Sequence, residues 1–122
     1  MKLEIVNVTA AVALAFAAFP AAATEMPAEA TKLGCVACHA MDKKLVGPSW
    51  KDIAAKYTGH GVKKFKYNGK EYPLIEGLVM KVSHGGSGNW GPVAMPPNDA
   101  TGAHKAEITK LVEFEQALAK KK

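Results

Sequence analysis

Cys35-Val36-Ala37-Cys38-His39 is the stretch of this chain whose residue types and spacing can do chemistry. Two thiols with two residues between them, followed at once by an imidazole, fit four arrangements: a redox dithiol, half of a zinc site, a structural disulfide, or the attachment point of a haem. A catalytic dithiol opens a helix after a strand in a βαβ setting, and no strand pattern precedes Cys35. Zinc needs four closely spaced ligands, whereas His60, His84 and His104 are scattered. A disulfide across so short a loop constrains little and leaves His39 without a role. Haem attachment uses all three residues, because both thiols can form thioethers with the vinyl groups and the histidine can reach the iron. The motif predicts one covalent haem c per chain, held by Cys35 and Cys38, with His39 as an iron ligand.

The other face of the iron needs a second ligand, and its identity separates electron carriers from enzymes. Met26 lies ahead of the motif in a polar, Pro-containing lead-in, and Met41 follows His39 too closely to reach around a porphyrin. Met80 falls inside a helical pattern, where a gap-filling core methionine is the simpler reading. Met95 stands in Val93-Ala94-Met95-Pro96-Pro97, a backbone stiffened by prolines. A rigid loop loses little entropy when its thioether is ordered against a metal, so Met95 is the expected ligand. A structural role for Met95, with His84 or His104 on the iron, is the alternative.

The elements that must position these residues are mostly helical. Ala28 to Cys35 is rich in helix formers. Ser49 and Asp52 form a capping-box-like start for a helix over Trp50–Tyr57. Residues 58–72 interrupt the helical pattern around Asn68-Gly69, a pair suited to a type I′ turn. They form either an irregular surface loop or a small ribbon near 63–72 that sets Phe65 opposite Tyr72 and Lys66 opposite Glu71. Pro73 suits the first turn of a helix running to about Ser83, with Leu74, Leu78 and Val82 on one face. Residues 84–98 carry so many Gly and Pro residues that no regular element is expected there. Ala103–Lys120 reads as the last helix, its apolar side (Ile108, Leu111, Phe114, Leu118) blurred by Glu107 and Glu115. The expected fold class is all-α, helices and long loops around one haem, with a small β-hairpin insertion as the variant reading of 63–72.

Composition narrows the partners. The chain has 122 residues, room for one domain, and a formal charge of +5. All 16 of its basic side chains are lysine. Forked recognition of phosphate and base edges favours arginine, so nucleic acid is not an expected partner. Lys2, the apolar run Ile5–Phe19 and Ala21-Ala22-Ala23 read as a signal peptide over 1–23, followed by one domain over 24–122. Export to the periplasm follows, with no stable membrane insertion after leader removal. An uncleaved anchor over Ile5–Ala23 is the rival, weakened by its alanine content.

With these motifs in view, the chain resembles the small bacterial class I mono-haem c-type cytochromes. The resemblance rests on Cys35–His39, Val46-Gly47-Pro48, Lys51–Tyr57 and Asn89–Asn98, spread over nearly all of the chain after the leader. It implies that the first and last helices cross and that the iron is six-coordinate, with His39 and Met95 axial. It further implies that the Pro48 carbonyl accepts from His39 Nδ1–H and that Trp90 lies beside a haem propionate. The implied function is single-electron shuttling rather than enzymatic catalysis. Its partners would be redox proteins with acidic docking surfaces: a reductase as donor, and a terminal oxidase, peroxidase or nitrite reductase as acceptor. A haem peroxidase or gas-binding protein with Met95 dissociated, and a subunit dedicated to one dehydrogenase, are the competing readings. Two departures stand out: residues 58–72 are longer and more basic than the family pattern, and the usual aromatic residue on the first helix is missing.

Overall fold

The computed structural model describes residues 25–120, so the expected leader falls outside the described residues. Four helices make the frame: α1 (Ala28–Lys32), α2 (Trp50–Tyr57), α3 (Leu74–His84) and α4 (Lys105–Ala117). Two antiparallel ribbons are set between them, β1 (Lys64–Tyr67) with β2 (Lys70–Pro73), and β3 (Gly86–Gly88) with β4 (Gly91–Met95). Short 3₁₀ turns cover Cys35–Ala37 and Leu118–Lys120.

α1 stops earlier than its composition suggests. Leu33 closes it and Gly34, at φ +77°, turns the chain into the 3₁₀ turn that carries both cysteines. The helix packs on α4, and its fully buried residue is Ala30. A small side chain thus occupies the α1 core position, in keeping with the missing aromatic. α2 begins where expected: the Asp52 N–H donates to the buried Ser49 Oγ at 3.1 Å, satisfying an otherwise orphaned helix donor. Trp50 at its start meets Phe114 of α4 edge to face, with ring centroids 6.0 Å apart.

The insertion is a ribbon. Asn68 (φ +49°) and Gly69 (φ +78°) both adopt the left-handed conformation of a type I′ turn. Phe65 pairs with Tyr72 and Lys66 with Glu71. Along β1, Lys64 and Lys66 face water while Phe65 and Tyr67 are buried, the period-two alternation of a half-covered strand. Phe65 packs edge to face on Tyr57, 5.4 Å between centroids, which docks the ribbon against α2.

One expectation is corrected. Residues 84–98 do hold a regular element, because β3 and β4 pair with Gly86 opposite Met95 and Gly88 opposite Gly91. Glycines at φ +122°, +104° and +93° (Gly86, Gly88 and Gly91) allow a tight, irregular ribbon that an alternation of side chains cannot announce. On α3, Leu78 is buried and Leu74 and Val82 pack half-buried against the core, as the periodicity implies, while Gly77, Val79 and Ser83 widen the buried face.

The core is formed where α2, α3, α4 and β1 meet, through residues such as Ile53, Phe65, Leu78, Ile108 and Val112. Asp99, buried between α3 and α4, accepts from the His104 N–H at 2.9 Å and donates its own N–H to Ser83 O at 3.1 Å. That pair of bonds fixes how α4 leaves the segment after Met95.

Candidate haem-binding site

A cleft of about 1040 Å³, counting the space at its open mouth, is lined by the motif residues and by all the larger elements. Its walls are apolar, with Ile53 from α2, Leu78 from α3 and Leu111 from α4 among them. The 3₁₀ turn and the following loop contribute Cys35, Cys38, His39 and Pro48; the end of β4 contributes Met95 and Pro96. Of the His and Met side chains in the described residues, His39 and Met95 are the ones that line this space. Met26, Met41, Met80, His60, His84 and His104 do not.

His39 is 8% exposed, and its Nδ1 lies 2.7 Å from the Pro48 carbonyl oxygen. A carbonyl can only accept, so Nδ1 carries the proton and Nε2 keeps its lone pair. The ring is also held from the side. A Cβ at Gly47 would come within 2.7 Å of His39 Cε1, so only glycine lets the backbone lie against the imidazole there. Gly47 N–H donates to Cys38 O at 2.8 Å, closing residues 38–47 into a collar around the histidine.

Cys35 and Cys38 are free thiols, both partly buried. Burial pushes the Cys35 thiol above its usual pKa, against a backbone hydrogen bond that pulls it down, while Glu115 and Cys38 reinforce the rise. Met95 is half-buried at the end of β4, where Gly86 pairs with it. Behind it, Gly85 has φ +73°, and a Cβ on that residue would strike the Met95 carbonyl oxygen and come within 2.8 Å of Pro97 N. Asn98 closes the loop from the other end, donating through Nδ2 to Val82 O at 3.1 Å and to Pro96 O at 3.2 Å.

Trp90 lines the cleft with its ring 40% exposed. Lys56 Nζ sits 4.3 Å from the Trp90 ring centroid and donates to Asn89 O at 2.6 Å, an arrangement that combines cation–π attraction with a charged hydrogen bond. Burial raises the pKa of Tyr57, with the Trp90 indole acting in the opposite direction. Lys81 of α3 also reaches the cleft, and burial lowers its pKa.

Sequence reasoning passes over several of these groups. Gly47 and Gly85 are legible only as loop residues, since the ring and the backbone they lie against come from elsewhere in the chain. Glu115 registers merely as an interruption of the apolar arc of α4. In the fold it is a buried carboxyl lining the cleft, and burial pushes its pKa up to about 8, opposed by the Gln116 amide that donates to it at 2.9 Å. Gln116 in turn accepts from Thr58 Oγ1 at 2.5 Å.

The donor set suits a covalent haem: two thiols not bonded to each other, an imidazole nitrogen with a free lone pair and a thioether, all on one apolar cleft. Comparison with known proteins agrees. The family model described as Cytochrome c matches residues 25–118. Cytochrome c-551 of Azotobacter vinelandii is 42% identical over 81 residues, covering 66% of this chain and 82% of its own. Cytochrome c-552 of Nitrosomonas europaea is 39% identical over 98 residues, covering 80% and 82% respectively. The crystal structure of wild-type Nitrosomonas europaea cytochrome c552 aligns with a TM-score of 0.56 at 35% identity, covering 73% of this chain and 94% of that one. The chain therefore belongs to the cytochrome c family, as a small class I member that carries electrons on one covalently attached haem c.

Proposed function

We propose that Cys35 and Cys38 bind the haem through thioethers, that His39 and Met95 are its axial ligands, and that the protein shuttles single electrons in the periplasm without catalysing a reaction of its own. The observation that carries this reading is the confinement of His39 and Met95, and no other His or Met of the described residues, to the cleft that the two thiols line. When bound, the haem supplies a one-electron Fe(III)/Fe(II) couple. With His39 and Met95 holding the iron, the chain's own residues would leave no site there for oxygen, peroxide or a substrate. A thioether on one side favours the ferrous state relative to two imidazoles. Pro48 and Gly47 hold the imidazole in one tautomer and one orientation, as outer partners of metal ligands do. Trp90, with Lys56 beside it, is assigned to a haem propionate.

Residues 1–23 are assigned to a cleaved signal peptide and 24–122 to the cytochrome domain. The redox partners are assigned acidic docking surfaces that meet the exposed lysines Lys63, Lys64, Lys66 and Lys70.

The decisive experiment is the visible spectrum of the ferric holoprotein and of Met95→Ala. The parent is expected to show the weak long-wavelength band of thioether–iron(III) coordination and to resist cyanide. Met95→Ala is expected to lose that band and bind cyanide readily. A parent that is high-spin and already binds cyanide freely would instead support the peroxidase or gas-binding reading.

A further inference from the structure

We infer that Tyr67, on the hairpin that departs from the family pattern, is a positioning residue for the iron's methionine ligand. The inference rests on the assignment of Met95 to that role.

Tyr67 is buried on the inner face of β1, and its hydroxyl donates to the Gly85 carbonyl oxygen at 2.9 Å. Among the described residues it is the one side-chain hydrogen bond reaching from the hairpin to the segment that carries Met95. Gly85 is the backbone on which that segment rests, in direct contact with the Met95 carbonyl and with Pro96 and Pro97. Its neighbour Gly86 is the strand partner of Met95. Tyr67, Gly85 and Met95 thus form three successive layers, the outer one holding the middle one in place.

The middle layer needs holding. Gly85 and Gly86 are consecutive residues at φ +73° and +122°. Two glycines in series form the softest hinge a backbone can contain, and this one lies between α3 and the ligand loop. Asn98 secures the far side of the loop to Val82; Tyr67 secures the near side. A thioether binds ferric iron weakly enough that the loop's own freedom decides how often the bond opens, and a fixed hinge lowers that frequency.

Imidazole can bind the ferric iron only when Met95 has left, so its apparent affinity reports loop opening. Tyr67→Phe keeps the ring in the core and deletes one hydroxyl. It is expected to raise the apparent imidazole affinity of the ferric holoprotein about threefold to tenfold, the range one net hydrogen bond supports, and to weaken the long-wavelength band. Tyr72→Leu, on β2 of the same hairpin and packed against the core but outside the cleft and without a bond to Gly85, serves as the stability control. It is expected to lower the melting temperature at least as much while leaving the imidazole affinity unchanged. Parental affinity in Tyr67→Phe, or an equal rise in Tyr72→Leu, would overturn the inference. Met95→Ala in the same titration isolates the underlying assignment: affinity no higher than in the parent would remove Met95 from the iron, whatever Tyr67 does.

Discussion

At the scale of single residues, the most consequential group outside the haem ligands is Glu115. Its carboxyl is buried, with one neutral amide donor and no cationic partner among the described residues. Burial penalises the charged form, so its pKa stands at about 8 against an ordinary value of 4.5. The folded state therefore binds more protons than the unfolded chain between those values, and stability falls as pH rises through that window. Below it both states are protonated and the contribution is constant; above it the full penalty is present. Glu115→Gln keeps the acceptor for Gln116 and removes the titration. Relative to the parent, it is expected to gain on the order of a few kcal/mol between about pH 5 and about pH 8. Urea unfolding of both proteins at several pH values reads this directly, and parallel pH profiles would show that the carboxyl is not buried as described. Nothing local in Phe114-Glu115-Gln116 signals this, since the burial is made by neighbours from other elements.

At the scale of elements, legibility follows how local the determinant is. The start of α2 is readable because Ser49 and Asp52 carry the cap within one turn. The hairpin's register is readable because Asn68-Gly69 admits only a narrow set of turns, and the turn dictates the pairing. The β3–β4 ribbon is not, because glycine-rich strands bury no alternating face to detect. The proposed haem ligands are an intermediate case: Cys35, Cys38 and His39 declare themselves by spacing, and Met95 by its prolines, while the glycines behind His39 and Met95 emerge only in three dimensions. The cap offers a test at this scale. Ser49 is almost fully buried, so Ser49→Ala is expected to cost about 1 kcal/mol or somewhat more, by orphaning the Asp52 N–H and leaving a small gap. Guanidinium unfolding at constant m-value measures it; a loss near zero would mean that water replaces the hydroxyl.

At the scale of the whole molecule, charge and cofactor set the behaviour. The formal charge is +5, and among the described residues the one lysine ion pair joins Lys51 to Asp42 on the surface, where such pairs contribute little. The hairpin lysines are consequently free to act on an approaching partner. Electron transfer to an acidic redox partner is expected to slow roughly tenfold from low to high ionic strength. Replacing Lys63, Lys64, Lys66 and Lys70 by Gln should flatten that dependence; stopped-flow rates over a salt series decide the matter, and an unaltered slope would move the contact elsewhere.

The apolar walls of the cleft have a bearing on how the molecule is made. Ile53, Leu78 and Leu111 belong both to the packed interior and to the surface that receives the porphyrin, so a polypeptide still lacking its pigment must present part of its own interior to solvent. Maturation and folding are then coupled, because closing the cleft around the porphyrin is what completes the interior.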